Sequence, residues 1–394
     1  MENRLDSLLN KELQVLAQQQ GLRQLQPSLV KGVHITPVTS SGVTKQLINL
    51  NSNDYLSLSN TSVSEKYSHT PLIGSTSSRL LVGDRPLFHS LEETIASQLH
   101  HPAALLFNSG YHANTGVLPA IAHPKMVVLA DRLVHASMID GIRLSSLPFE
   151  RFRHNDLKQL QQLLAKYAST ASFVIVMVEG LYSMDGDFAP LEELVALKKQ
   201  YPNVLLYVDE AHSIGVYGKS GMGYAEEKEV LEDIDFLVGT FGKALSGMGA
   251  YVACSETIRN YLINKSRSLI FSTMLPPAIM ELNMRNFSRI INLDEARKHL
   301  YHLSKQLRCA VESLGLPMPS ASHIVPVFCG SSTRARALSE HLLADGFYAR
   351  PICSPTVPKG TERLRLSLCS DMTQKQLDDL IISLNRFFVL CNNK

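Results

Sequence analysis

The chain has 394 residues, too many for one small core and enough for two or three domains. Hydrophobic content of 45% and charged content of 19% are ordinary for a globular protein, and a net charge of +2 gives no field to attract nucleic acid or an anionic membrane. Six cysteines without a Cys-x-x-Cys pair argue against a zinc site or a disulfide scaffold and fit a reducing cytoplasm, so no bound metal is expected.

The N-terminal residues are polar and lack an apolar signal region. Every apolar run falls short of the ~20 residues that a membrane helix needs. Leu5, Leu8, Leu9, Leu13 and Leu16 recur near the helical period and predict a helix over 3–20, lying against the body and stopped at Gly21. Residues 48–56 predict a short strand entering a polar turn.

From residue 87 helix and strand alternate. Helices are expected at 88–99 and 111–121, and strands at 103–107, 126–130, 173–178, 204–208, 236–239 and 250–254. Such alternation predicts an α/β fold, a mostly parallel sheet with helices on both faces. A helical tract at 278–314 follows Pro276-Pro277, then strands at 324–328 and 363–369 and helices at 333–344 and 374–390. The expected division is an N-terminal helix and arm at 1–47, a large α/β domain at 48–280, and a smaller α+β C-terminal domain with its connecting helix at 281–394.

Two apolar runs end abruptly in polar groups. Val204-Leu-Leu-Tyr-Val208 delivers Asp209 and His212, and the run before Gly239 delivers Thr240 and Lys243. In parallel sheets functional groups gather beyond the carboxyl ends of the strands, so the acid, the imidazole and the lysine can meet in one crevice. Asp-Glu-Ala-His at 209–212 also marks a class of helicases, but that chemistry needs a Gly-x-x-x-x-Gly-Lys-Ser/Thr loop for phosphates. Here Gly242-Lys243 is followed by Ala244, and Leu237 stands where the first glycine belongs.

Lys243 reads either as a surface lysine in a glycine-rich turn or as an amine held in a crevice, able to form a Schiff base. Asp209 favours the second reading, because an acid there would keep a pyridine nitrogen protonated. Gly110 and Tyr111, at a strand-to-helix junction, make either a tight connection or a phosphate site at a helix N-terminus. His135 is either a packing residue or a ring lying flat on an aromatic cofactor.

In order along the chain, residues 74–83, 109–114, 131–137, 179–187, 209–212 and 240–243 form a set of motifs, continued by 271–277 and 355–365. Together they resemble the α-oxoamine synthases, pyridoxal-phosphate enzymes of the aspartate-aminotransferase fold (fold type I), over nearly the whole chain. The resemblance implies that Lys243 holds the cofactor and moves protons, that Asp209 pairs with the pyridinium nitrogen, and that His212 bonds the phenolic oxygen. It implies that His135 stacks on the ring and that Ser183 lies beside it. It gives Gly110, Tyr111 and Thr240 to the phosphate, with Thr273 reaching over from a second subunit, so a homodimer with interfacial sites is implied. It gives Asn53 and Arg365 to the amino-acid carboxylate and Arg23 to the acyl or CoA entrance.

The runs at 74–83 and 179–187 are most similar to members that condense L-alanine with a pimeloyl thioester, on CoA or a carrier protein, on the way to biotin. Glycine with acetyl-CoA or succinyl-CoA is the alternative within the family, and a partner subunit without activity is the alternative outside catalysis. One departure stands out. Those members carry arginine two positions before the proline of Pro355-Thr-Val-Pro358, where this chain has Cys353, with Arg350 three residues earlier.

Overall fold

The computed structural model describes residues 4–18, 22–23, 25–39, 42–60 and 74–392. The chain forms two compact units. Unit 1 comprises Met1–Ser52, Met184–Gly186 and Leu300–Lys394, and unit 2 comprises Asn53–Ser183 and Asp187–His299.

The first strands along the chain are β1 (Ser28–Lys31), β2 (His34–Thr39), β3 (Gly42–Val43) and β4 (Leu47–Asn49). Seven strands follow in unit 2: β5 (Ala103–Phe107), β6 (Met126–Asp131), β7 (Phe149–Phe152), β8 (Phe173–Glu179), β9 (Val204–Asp209), β10 (Phe236–Thr240) and β11 (Ala250–Cys254). The last are β12 (Ile324–Phe328), β13 (Phe347–Tyr348), β14 (Pro351–Ile352) and β15 (Arg363–Ser367). The first helices are α1 (Arg4–Gln18), α2 (Pro86–Gln98), α3 (Gly110–Ile121) and α4 (Ala136–Ser145).

Unit 2 is built on one sheet of order β5-β11-β10-β9-β8-β6-β7. β7, β6, β8, β9 and β10 pair in parallel, as the unbroken Val- and Leu-rich runs predict for strands covered on both faces. β11 runs antiparallel to both its neighbours, β10 and β5, which the sequence reading did not distinguish. This reversal matters for the site. Ala250, at the start of β11, pairs with both Phe107 and Thr240, so the loop before β11 opens where β5 and β10 end. The core on one side of the sheet packs Val117, Leu118, Met138 and Ile142 of α3 and α4 against Leu105, Ile175, Tyr207 and Val252.

Unit 1 holds two smaller sheets. In one, β1, β2, β4 and β13 lie side by side, with β3 on β2 and the β4–β13 pair parallel. The other is antiparallel, in the order β12-β15-β14. β7, β13 and β14 were not foreseen, being short and without clear alternation. The tract expected at 278–314 is two helices, Pro277–Ile290 and Asp294–Ser313. Asn292 and Asp294 fall at the break, where short polar side chains favour turns and helix starts.

The N-terminal helix forms as predicted, but no residue of α1 is buried. Leu5, Leu8, Leu9, Leu13 and Leu16 are 37–55% exposed, so the expectation that this helix lies against the body is corrected. Apolar spacing specifies an amphipathic helix, and it does not specify what covers the stripe. Gly21, the expected stop, lies outside the described residues.

A partly buried ion network fixes the loop between β6 and α4. Asp131 ends β6, and its Oδ1 lies 3.0 Å from His154 Nδ1, while His154 Nε2 lies 2.6 Å from Asp187 Oδ2. Asp131 also accepts the backbone N–H of Leu133 at 2.7 Å and of Asn155 at 2.8 Å. Burial would push the His154 imidazole down, but the bonds to Asp131 and Asp187 outweigh it and lift the group to about 10. A raised folded-state value stabilises the fold fully below the unfolded pKa of about 6.5. That contribution fades as pH rises toward 10. His154→Ala is therefore expected to cost about 1–3 kcal/mol near neutral pH and to flatten the alkaline decline, read as Tm against pH from 6 to 10.

Candidate functional site

The carboxyl ends of β8, β9 and β10, the start of α3 and the loop before β11 enclose a cavity of about 250 Å³. Its lining includes Gly110, Tyr111, His135, Asp209, His212, Thr240 and Lys243, seven of the residues expected from sequence. It also includes Asn114 and Glu179, which sequence reading did not single out.

Asp209 is buried at the end of β9, and each of its carboxylate oxygens holds one donor. Oδ2 accepts from Asn114 Nδ2 at 2.9 Å and Oδ1 from the backbone N–H of Ala211 at 3.0 Å. Asn114 is itself clamped, giving its second amide hydrogen to Ser137 Oγ at 2.9 Å and accepting from the Tyr207 hydroxyl at 2.7 Å. Asn114 lies inside the motif at 109–114, but only its placement on the inner face of α3 marks it as Asp209's partner.

The four residues of Asp-Glu-Ala-His divide their work. Asp209 faces the cavity. Glu210 turns into the core, where it accepts the N–H groups of Tyr224 and Ala225 at 3.0 and 2.7 Å. Burial raises its carboxyl to about 7 against those two donors. His212 is buried with its Nδ1 2.7 Å from the Tyr55 hydroxyl, which lies 2.9 Å from Asn53 Oδ1. Asn53 is thus joined to the site through Tyr55 and is not among the lining residues.

His135 caps α4, and its Nδ1 lies 2.7 Å from Ser137 Oγ. Burial pushes its imidazole down, opposed by Asp209, so the ring is neutral at physiological pH. Gly110 opens α3, with Ser109 as the cap accepting from His112 N at 3.1 Å. A side chain at Gly110 would place its Cβ 2.8 Å from Thr240 Cγ2, so only glycine lets the helix start come this close to β10. Free backbone N–H groups at such a start suit an anion.

Ser183 and Thr273 are not lining residues. Ser183 gives its backbone N–H to Glu179 Oε2 at 3.3 Å. Thr273 is exposed, and its carbonyl accepts from Asn108 Nδ2 at 2.7 Å, which ties the 272–274 segment to the rim of the cavity. Arg365 and Arg23 belong to unit 1. Arg365 is buried on β15 with Nη1 2.7 Å from Ser367 Oγ, and Arg23 is exposed with Nη2 2.7 Å from Thr356 Oγ1.

Unit 1 has a cavity of its own, of about 1130 Å³. Leu22, Leu47, Met184, Leu343 and Ile352 give it an apolar wall, and Arg23, Lys45, Arg336 and Arg350 supply cations with no aspartate or glutamate among the lining residues. Cys353 is part of this wall, half-buried, and Arg350 Nε is 2.7 Å from the Tyr348 hydroxyl.

Residues 45–384 match the family described as Aminotransferase class I and II. The chain belongs to that family. A protein of Pasteurella multocida (strain Pm70) is 49% identical over 86% of this chain and 89% of its own length. One of Neisseria meningitidis serogroup C / serotype 2a is 44% identical over 96% of this chain and 100% of its own length. Both bear the name "Putative 8-amino-7-oxononanoate synthase". Among solved structures, serine palmitoyltransferase from S. paucimobilis with bound PLP–myriocin superposes with a TM-score of 0.87 at 26% identity, covering 100% of both chains. An 8-amino-7-oxononanoate synthase from Francisella tularensis superposes with a TM-score of 0.74 at 26% identity, covering 88% of this chain and 98% of that one.

The fold is therefore that of the type I pyridoxal-phosphate enzymes, and the protein is an acyltransferase of the α-oxoamine synthase group that uses pyridoxal phosphate. The residues present fit the cofactor. The cavity offers a buried carboxylate, a lysine, a neutral imidazole, and a helix start that any side chain at Gly110 would obstruct. Gly110→Ala is expected to weaken pyridoxal-phosphate binding by about tenfold or more while leaving the fold intact. Titration of the apoprotein followed by visible absorbance, beside circular dichroism, checks both halves.

Proposed function

We infer that the protein condenses L-alanine with a pimeloyl thioester, releasing CO2 and the free thiol and giving 8-amino-7-oxononanoate. The observation that carries this reading is the identity of 44–49% to relatives of that name across most of both chains. Within the same reading the protein works as a homodimer in the cytoplasm, with Thr273 serving the partner's site.

When bound, pyridoxal phosphate supplies an electron sink for the charge left on Cα as a bond there breaks. Lys243 holds the cofactor through its ε-amine and, once released, takes the proton from the alanine Cα and later returns one. Asp209 holds a proton on the ring nitrogen, kept aimed by Asn114 and the Ala211 N–H. His212 bonds the phenolic oxygen, its imidazole fixed by Tyr55. His135, neutral, faces the ring, and Ser183 lies beside it. Gly110, Tyr111 and Thr240 hold the phosphate. Asn53 and Arg365 orient the amino-acid carboxylate, a task suited to a guanidinium fork.

The acyl chain of a dicarboxylic acid needs an apolar wall for its methylenes and a cation for its far end. The unit 1 cavity has both. Arg336 is the half-buried cation there, whereas Arg23, Lys45 and Arg350 are exposed, so Arg336 is assigned to the distal carboxylate in place of the arginine replaced by Cys353. A second reading, condensation of serine with a long acyl thioester, is favoured by TM-scores of 0.85–0.87 to serine palmitoyltransferases.

A panel of alanine, serine and glycine against pimeloyl-, palmitoyl-, succinyl- and acetyl-CoA, with mass spectrometry of the products, separates these readings. Alanine with pimeloyl-CoA is expected to dominate, and dominance of any other pair overturns the assignment. Lys243→Ala is expected to remove turnover with the fold kept. Arg336→Ala is expected to raise KM for pimeloyl-CoA about 10- to 100-fold, the worth of a hydrogen bond to a charged group, with little change for heptanoyl-CoA.

A further inference from the structure

Glu179 ends β8 and has no part in the roles assigned above. It is 3% exposed and lines the cavity together with His135, Asp209 and Lys243. In the β8–β9 ladder it stands directly opposite Asp209. Its two oxygens are unequal. Oε2 accepts the Ser183 N–H at 3.3 Å, while Oε1 is buried without a hydrogen-bond partner. The backbone N–H of His135 also faces the carboxyl group. One side chain thus reaches the backbone of two residues, on the loops after β6 and β8, that the proposed function sets against the cofactor.

We propose that Glu179 is a positioning residue that acts as a neutral carboxylic acid, holding the His135 and Ser183 loops while its O–H at Oε1 points into the cavity. The argument starts from the pair at neighbouring strand ends. Two buried carboxylates side by side do not both ionise readily, and the one with the better donors keeps the charge. Asp209 has the Asn114 amide and the Ala211 N–H, both within 3.0 Å. Glu179 has the longer Ser183 bond on Oε2 and the His135 N–H facing it, with no hydrogen bond formed at Oε1. Burial and then Asp209 raise its carboxyl to about 8, with Lys243 and the two backbone N–H groups opposing. Tyr182, two residues before Met184 and close enough to feel Glu179, is raised well above its ordinary value and adds no charge.

A protonated carboxyl is a donor, and an ionised one only accepts. Protonated at Oε1, Glu179 offers the cavity a donor, where an ionised oxygen would only accept. The consequence is a site with a single negative side chain. Asp209 serves the ring nitrogen, and Glu179 adds shape and a donor without a second charge beside Lys243.

The inference rests on the proposed cofactor site, and its test separates the two. Infrared difference spectra between wild type and Glu179→Gln, on protein as purified at pH 7, are expected to show a protonated carboxyl band lost in the variant. That arm needs no cofactor, and loss of a carboxylate band instead overturns the proposal. On the holoenzyme, the pH midpoint of the visible cofactor band is expected to be the same in wild type and Glu179→Gln, which is isosteric and neutral. A midpoint lowered by about one unit or more in Glu179→Gln shows that an ionised carboxylate was removed and overturns it. Glu179→Ala, which abandons both loops, is expected to weaken pyridoxal-phosphate binding about tenfold, with Glu179→Gln restoring it. Equal binding by wild type and Glu179→Ala removes the positioning role.

Discussion

A carboxylate buried at the end of β9 is the constraint to which the rest of unit 2 answers. An ionised acid out of contact with water is tolerated only when its oxygens are satisfied. Asp209 gets one donor from the turn that follows it and the other from Asn114, across the sheet on α3. That second donor fixes where α3 lies, because Asn114 must also satisfy Tyr207 on β9 and Ser137 on α4. Strand, both helices and the charge are locked by four polar side chains that have no other solution in a buried place. The helix start at Gly110 and the cap at His135 are then delivered to the same cavity with no freedom of their own.

The β11 reversal serves the same end. A sheet of purely parallel strands would send its next loop to the far edge. Running β11 backwards brings Gly247, Met248 and Gly249 up to the ends of β5 and β10, where they close the wall beside Lys243. Asn283 holds that loop, its amide donating to the Met248 carbonyl at 2.8 Å and its carbonyl accepting the Met248 N–H at 3.3 Å. The lysine therefore comes from a turn pinned on both sides, although the turn is rich in glycine.

What the sequence reveals follows from how local each signal is. The strands at 103–107, 204–209 and 250–254 are apolar runs with abrupt ends, and run length alone places them within a residue. Asp209, His212, Thr240 and Lys243 are readable because each lies at the end of such a run or within three residues of it. Asn114 and Tyr55 are not, since their importance lies in partners far along the chain, Asp209 and His212. The same holds for α1. Its leucine spacing is local and predicts the helix, but what meets that face is a tertiary fact, and the leucines are exposed. Strand direction is the third such case, because β11 has the same composition whichever way it pairs.

Glu179 shows how a motif can be read correctly and still hide a residue. It opens the run at 179–187, yet as a letter at the end of an apolar strand it looks like the first polar residue of a loop. Only the register opposite Asp209 reveals that two acids compete for one buried charge. Asp209 has the closer donors, and burial beside it leaves Glu179 useful as an uncharged group. The same competition explains why His135 is neutral. Burial disfavours its charged form, Lys243 adds to that, and the opposing pull of Asp209 and Asp140 does not reverse it. With Glu179 and His135 both uncharged beside it, Lys243 can take up and return a proton without a second acid or that imidazole changing charge.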